Sequence, residues 1–168
     1  MFSKFYKLLI GILGVCIFFG GCKFCKTTGP VIPSIDLISL LSAPGQVQIN
    51  GQTFFLETFL WRDFQPVCPP DGEPLIALIW VVTKDSSEFP SSITANRLWV
   101  IKDKKWVWET NFSNEQTIPW PYKLEKVARN GPKWGPGIYA DVVVMIVDEN
   151  DNEKYLLRAS NQYIYRTE

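Results

Sequence analysis

The segment from Gly137 to Tyr165 reads GIYADVVVMIVDENDNEKYLLRASNQYIY, and it decides the fold class. Two runs rich in Val, Ile, Leu and Tyr flank a polar turn at 148–153. Runs of these residues on either side of a polar turn are typical of a β-hairpin. The segment therefore predicts an antiparallel β-domain.

Further strand signals recur at short spacing before this hairpin. Asn50-Gly51 separates two β-rich runs, which is a strong hairpin signal. The apolar run 75–82 (LIALIWVV) predicts a central strand, and 122–128 predicts another. Together with a hairpin at 97–110, these signals predict about eight strands with no convincing helix among them. This pattern is typical of a β-sandwich.

Residues 97–110 predict another hairpin, turning at Asp103-Lys104. If those two residues form the whole turn, Trp99 faces Trp108 across the strands. Ile101 then faces Trp106 on the same side of the sheet.

Composition limits the classes of function. The 168 residues have room for one domain and an N-terminal appendage, and 46% of them are hydrophobic. There are 17 basic and 17 acidic residues and no long basic run, so we expect no nucleic-acid partner. The chain contains no histidine, which excludes Ser-His and Cys-His triads and histidine-ligated metals formed by this chain alone.

The N-terminus predicts export. Lys4 and Lys7 precede an uncharged stretch at 8–21, and 14 residues are fewer than the roughly 20 that span a bilayer. The stretch ends in Phe19-Gly20-Gly21-Cys22, which resembles the lipobox of bacterial lipoproteins, with Phe19 where the family usually has Leu. The resemblance implies a signal peptide at 1–21 and lipidation at Cys22. An uncleaved anchor or an ordinary secretory signal is the alternative, and both also export the domain.

The residue after the lipidated cysteine bears on localisation in the same family. Lys23 stands where an Asp would imply retention at the inner membrane, so the resemblance implies an outer-membrane anchor in the cell envelope. Residues 22–45 then form a tether, and 46–168 form the domain. Within the tether, 34–42 predicts either a short amphipathic turn capped by Ser34 or an extended segment packed on the domain. Export to an oxidising space makes either a Cys25–Cys68 disulfide or two free thiols compatible with the sequence.

Gly135-Pro136-Gly137-Ile138-Tyr139, with the following Val-rich strand and Asp148, resembles a signature of immunoglobulin-like modules, including bacterial Ig-like and PKD-type domains. The resemblance implies an immunoglobulin-like antiparallel β-sandwich of about seven to eight strands. Tyr139 and Asp148 are nine positions apart, whereas an even spacing would keep them on one face. We therefore expect either a bulge or an outward-facing Tyr139. If Asp141 faces outward, the alternate residues of the strand face the core, namely Ala140, Val142, Val144 and Ile146.

Two groups of residues are candidate binding sites. The DENDN turn resembles a cadherin calcium linker, with Asp148, Asn150 and Asn152 as weak calcium candidates, although such residues are also ordinary turn formers. Among seven tryptophans, Trp99, Trp106, Trp108 and Trp134 are candidates for a binding surface, and packing in the core is their alternative role. We expect no metal and no other cofactor.

The sequence gives no catalytic residues. Glu57 and Asp63 share a strand face, but six residues of strand span about 20 Å, too far for a glycosidase pair. We therefore expect a non-enzymatic, lipid-anchored envelope protein whose domain binds or assembles with an envelope protein or glycan. A purely structural envelope lipoprotein is the alternative, and a carboxylate-based hydrolase is a third. Immunoglobulin-like topology further predicts that the DENDN turn and the Cys68 loop face the tether and that the Trp134 loop points away.

Overall fold

The structure is a computed structural model that describes residues 35–115 and 119–168. Within these residues the chain forms one short helix and eight strands. In chain order they are α1 (Leu37–Ser42), β1 (Gln46–Ile49), β2 (Gln52–Asp63), β3 (Leu75–Thr83), β4 (Ile93–Lys102), β5 (Trp106–Asn111), β6 (Lys123–Gly131), β7 (Tyr139–Asp148) and β8 (Glu153–Thr167). The prediction of an all-β fold with about seven to eight strands is confirmed.

Strand β8 connects two antiparallel groups of strands. The first sheet contains β1, β2, β3 and β6, and the second contains β5, β4, β7 and most of β8. The C-terminal part of β8 leaves β7 and pairs in parallel with β2, so that Trp61 lies beside Tyr165. The expectation of a purely antiparallel sandwich is therefore corrected at this one pair, which makes the two sheets continuous.

The strand order divides the sheet into two sets, which is compatible with a β-sandwich. Strands β2, β3 and β6 form one set, and strands β5, β4, β7 and β8 form the other. β1 is an additional strand, formed by the predicted hairpin at Asn50-Gly51.

The β7–β8 hairpin forms as predicted and contains a bulge. Its ladder runs regularly from Asp148–Glu153 to Val142–Ala159 and then shifts. At the shift Asn161 adopts a φ of 58°, and its N–H donates to the Asp141 carboxylate at 2.9 Å. Tyr139 is exposed, and the predicted inward residues are all buried in the core, namely Ala140, Val142, Val144 and Ile146.

The main core lies between the two sheets, where alternate residues of facing strands point inward. Its largest fully buried side chain is Phe54 of β2, which an edge-on contact with Phe89 supports at 5.6 Å. Other fully buried members are Leu60, Ile79, Val81, Leu98, Val100, Leu157 and Ile164.

Helix α1 covers the outer face of the second sheet. Leu40 packs with Trp99, Ile101 and Val143 in a second buried cluster. Asp36 caps the helix by accepting from the Ser39 N–H at 2.9 Å, whereas the sequence suggested Ser34 as the cap. The folded unit therefore includes residues 35–45, which the sequence assigned to the tether.

The β4–β5 hairpin forms, but its predicted register is wrong by one residue. Lys102 pairs with Trp106, so three residues form the turn instead of two. A shift of one residue moves every side chain of a strand to the opposite face. As a result Trp99 lies beside Glu109 and Trp108 lies beside Val100, and the predicted Trp99–Trp108 and Ile101–Trp106 pairs do not form.

The predicted grouping of the DENDN turn with the Cys68 loop at one end of the domain is wrong, whereas the Trp134 loop does lie at the end away from the DENDN turn. The DENDN turn lies beside the Asn50 turn, whose Nδ2 donates to Asp148 at 2.8 Å. The Cys68 loop lies at the opposite end, because it follows β2 at the end where β8 finishes. The Trp134 loop is at that same end: buried Arg62 donates to the carbonyls of Glu73 at 2.8 Å and Gly135 at 2.7 Å.

Candidate binding surface

The four tryptophans proposed as a binding surface lie in separate environments. Trp99 is 1% exposed and lies beneath α1, where a ligand has no access to it. Trp108 and Trp134 are half-buried and pack against the main core. Trp106, at 53% exposure, is the exposed member of the group. The structure therefore does not bring these four side chains together into one surface.

Trp80, part of the apolar run that predicted a central strand, lies half-buried on the outer face of β3. Its Nε1 donates to Glu125 at 2.6 Å, and the Lys123 ammonium lies 4.6 Å from its ring. The same ammonium lies 4.4 Å from the ring of Trp120. These contacts hold the segment before β6 against the first sheet.

A different set of aromatic side chains forms one continuous row of rings at the surface, three of them exposed and two half-buried, which we call the aromatic row. It consists of Tyr139, Tyr163, Tyr165, Phe59 and Trp61. Successive ring centroids along the row are separated by 5.2, 4.9, 5.1 and 5.2 Å. Tyr165 and Phe59 are stacked, whereas both Tyr–Tyr contacts are edge-on. These are the two ring geometries that aromatic pairs prefer.

The connection between the two sheets creates the row. Tyr163 and Tyr165 alternate along the end of β8 and therefore share one face. The parallel pairing of β8 with β2 places Tyr165 beside Trp61, and Phe59 lies two residues earlier on the same face of β2. On the other side, Tyr139 pairs directly with Tyr163, beyond the bulge at Asn161. Three strands thus contribute to one surface.

The row exposes aromatic area and hydroxyl groups together. Tyr139, Tyr163 and Tyr165 are 54%, 38% and 46% exposed. An aromatic side chain carries about 150–250 Å² of surface, so the three tyrosines together present roughly 200–350 Å² to solvent. None of their hydroxyls has a hydrogen-bond partner among the described residues. The row therefore offers apolar ring surface with three free donor and acceptor groups.

An open groove of about 370 Å³ adjoins Tyr139 at one end of the row. Its polar lining includes Asp103, Lys104, Ser160 and Asn161. Asp141 also lines it, with one oxygen 3.2 Å from the Arg158 guanidinium and the other accepting the Asn161 N–H. Because Asp141 is used in this way to hold the bulge, its role at the groove is structural.

The calcium candidates have a structural role in the described residues. Both carboxylate oxygens of the fully buried Asp148 accept protein donors: one accepts the Asn150 N–H at 3.1 Å and the other accepts Asn50 Nδ2. The Asn150 N–H bond and the other donors lower the pKa of Asp148. Asn152 adopts a φ of 61° in the same turn. No group of three or more metal-ligating side chains occurs in 35–115 or 119–168.

The remaining predicted site residues are only partly within the described chain. Cys22 and Cys25 lie outside it, so the lipidation and the Cys25–Cys68 disulfide stay predictions. Cys68 is half-buried and forms no disulfide with another described residue. Burial raises the pKa of its thiol, and Asp63 and Glu73 add to the increase. Of the two carboxylates considered for hydrolysis, Glu57 is exposed, and Asp63 accepts the Gln65 N–H at 3.1 Å.

Comparison with known proteins found no match. No family model, no curated protein and no solved structure matches the chain. Among the residues that the structure describes, there is also no helix of the length and apolar character needed to cross a membrane.

Proposed function

We propose that this protein is an exported, lipid-anchored envelope protein whose immunoglobulin-like domain binds a partner in the envelope through the aromatic row. The single observation that carries the binding function is the continuous row of five rings, of which the three tyrosines are exposed and Phe59 and Trp61 are half-buried. Exposed aromatic side chains in contact with one another are enriched where proteins meet ligands, since they supply large contact area with little loss of side-chain freedom.

The lipid anchor is supported by the sequence. The Phe19-Gly20-Gly21-Cys22 motif follows a basic region and a short apolar segment, which is the order found in lipoprotein signal peptides. Twelve residues separate Cys22 from Ile35, the first described residue. At about 3.3–3.6 Å per residue, this length allows the domain to reach partners near the surface of the membrane.

The two outer faces of the domain support the position of the binding surface. On the second sheet, α1 covers apolar residues such as Trp99 and Val143. The aromatic row lies where the first sheet meets β8, and its three tyrosines stay exposed within the described residues. The row is therefore an exposed aromatic surface available to a partner, whereas Trp99 is already used in folding.

Site-specific photo-crosslinking in the native envelope tests this proposal. A benzophenone amino acid is placed at Tyr163 in the full chain, and in a matched variant at Lys154, an exposed position of the same strand. We expect a specific adduct from position 163 and none from position 154. Equal adducts at the two positions, or no adduct at 163, would contradict the proposal. In parallel, Cys22→Ser should abolish incorporation of a labelled fatty acid.

A further inference from the structure

We propose that the aromatic row binds the uncharged sugar rings of an oligosaccharide, a ligand class that rests on the binding function proposed above. A sugar ring has an apolar C–H face and a rim of hydroxyl groups. A complementary surface needs aromatic carbon and hydrogen-bonding groups within the same few ångströms. The row has both, because Tyr139, Tyr163 and Tyr165 expose their rings and their unpartnered hydroxyls together.

The size of the row favours a sugar chain over a protein. A stable protein interface buries about 800 Å² on each partner. The tyrosines of the row expose roughly 200–350 Å², which is well below that value. Because the rings follow one another at steps of 4.9–5.2 Å across three strands, a narrow, extended ligand makes better use of this surface.

The charges around the row favour a neutral ligand. The row itself contains no charged side chain. Asp141 is paired with Arg158 at 3.2 Å, and Arg166, next to Tyr165, is paired with Glu168 at 2.5 Å. Glu57 lies two residues before Phe59 on the same face and is exposed. Its carboxylate accepts hydrogen bonds from hydroxyl groups and repels acidic sugars.

The groove beside Tyr139 adds polar side chains to this surface. The exposed residues Ser160 and Asn161 line it, together with the oppositely charged Asp103 and Lys104. Their position next to the outermost ring supplies polar contacts for a sugar unit beyond the row. The bulge that places Asn161 here thus joins the row to the groove, which lengthens the surface available to a chain of several sugars.

Calorimetric titration of the full-length, detergent-solubilised protein tests the inference. The probes are chitohexaose, cellohexaose and maltohexaose, with an oligogalacturonate of the same length as the acidic probe. We expect at least one neutral hexaose to bind with a Kd below about 1 mM. We expect the acidic probe to bind at least tenfold more weakly. The inference is overturned if none of the neutral hexaoses binds or if the acidic oligomer binds as well as they do.

Variants assign the binding to the row. The double variant Tyr163→Ser, Tyr165→Ser should lose at least tenfold in affinity, and Tyr139→Ser, at the exposed end of the row, should also lose affinity. Trp106→Ser is the matched control, since Trp106 is as exposed as Tyr139 but lies on β5. Unchanged affinity in the row variants, or an equal loss in Trp106→Ser, overturns the inference. A protease-sensitive, glycosidase-resistant adduct at position 163 overturns the sugar ligand alone and retains the binding function.

Discussion

Asp148 couples two turns through a single buried carboxylate. It accepts from Asn50 at the β1–β2 turn and from the Asn150 N–H within its own turn, and these donors favour the charged form. The pKa of Asp148 is therefore lowered on folding. A carboxyl group with a lowered folded pKa stabilises the protein at pH values above its unfolded pKa, near 4, and this contribution is lost as the pH falls through the folded pKa.

From the lowered pKa of Asp148 we predict the effect of Asp148→Asn on the pH dependence of stability. The variant should unfold several degrees below the wild type at pH 7, and the two melting temperatures should converge as the pH falls below about 4. Thermal unfolding followed by circular dichroism from pH 7 to pH 2.5 measures this. Glu149→Gln, an exposed neighbour with the same change of charge, is the control. A constant difference between Asp148→Asn and wild type at every pH would contradict the assigned role.

Arg62 has a comparable role at the other end of the domain. It is 3% exposed and donates to the carbonyls of Asp71, Glu73, Lys133 and Gly135. We predict that Arg62→Met lowers the free energy of unfolding by about 3–5 kcal/mol, because four part-buried carbonyls that join two loops lose their common donor. Denaturant unfolding provides the measurement. Arg166→Met, an exposed arginine on the same Phe64 ring, should cost less than about 1 kcal/mol. Similar losses of stability in both variants would show that the hydrogen bonds of Arg62 to the two loops do not stabilise the domain.

At the scale of elements, the contribution of α1 to the free energy of unfolding can be measured. Leu40 is buried against Trp99 and Val143, whereas Ile38 on the same helix is 79% exposed. We predict that Leu40→Ala lowers the free energy of unfolding by about 2–5 kcal/mol. Ile38→Ala should change it by no more than about 0.5 kcal/mol. Equal effects of the two substitutions on denaturant unfolding would show that the helix does not pack as described.

The elements also show how far local patterns determine this fold. Alternation and β-branched residues were sufficient to predict the β7–β8 hairpin and its inward face, because both properties are local to the strands. The turn after Lys102 was predicted one residue too short. Asp103 and Lys104 both adopt left-handed backbone conformations, with φ of 54° and 52°, and Lys105 completes the turn. Nothing in those residue types distinguishes a two-residue from a three-residue turn, yet the choice decides where Trp99 and Trp108 point.

The aromatic row was beyond prediction from local sequence for a related reason. Tyr163 and Tyr165 alternate visibly in β8, but Phe59 and Trp61 are about a hundred residues earlier in the chain. Their proximity depends on the parallel pairing of β8 with β2, which forms only when both sheets are assembled. The abundance of tryptophan predicted a binding surface, but Trp99, Trp108 and Trp134 pack against buried clusters instead. One local signal was available: the alternation of exposed tyrosines at the end of the last strand.

At the scale of the whole molecule, stability and binding are assigned to different groups of side chains. Helix α1 buries the part of the outer face of the second sheet around Trp99 and Val143, whereas the aromatic row begins at Tyr139 on that face and lies outside the main core. We therefore predict that Tyr163→Ser lowers the free energy of unfolding by only about 1 kcal/mol, the value of lost cross-strand aromatic contacts. Denaturant unfolding of this variant beside Leu40→Ala measures the contrast. A loss of the size found for Leu40→Ala would make the row a part of the core.

The central claim is that the aromatic row is the surface covered by a partner in the envelope. Hydroxyl-radical footprinting with mass spectrometry measures it most directly, by comparing the purified full chain with the same chain in its native envelope. We predict that oxidation of Tyr139, Tyr163 and Tyr165 decreases severalfold in the envelope, while oxidation of Trp106 stays the same. Unchanged oxidation of the three tyrosines, or an equal decrease at Trp106, would contradict the claim.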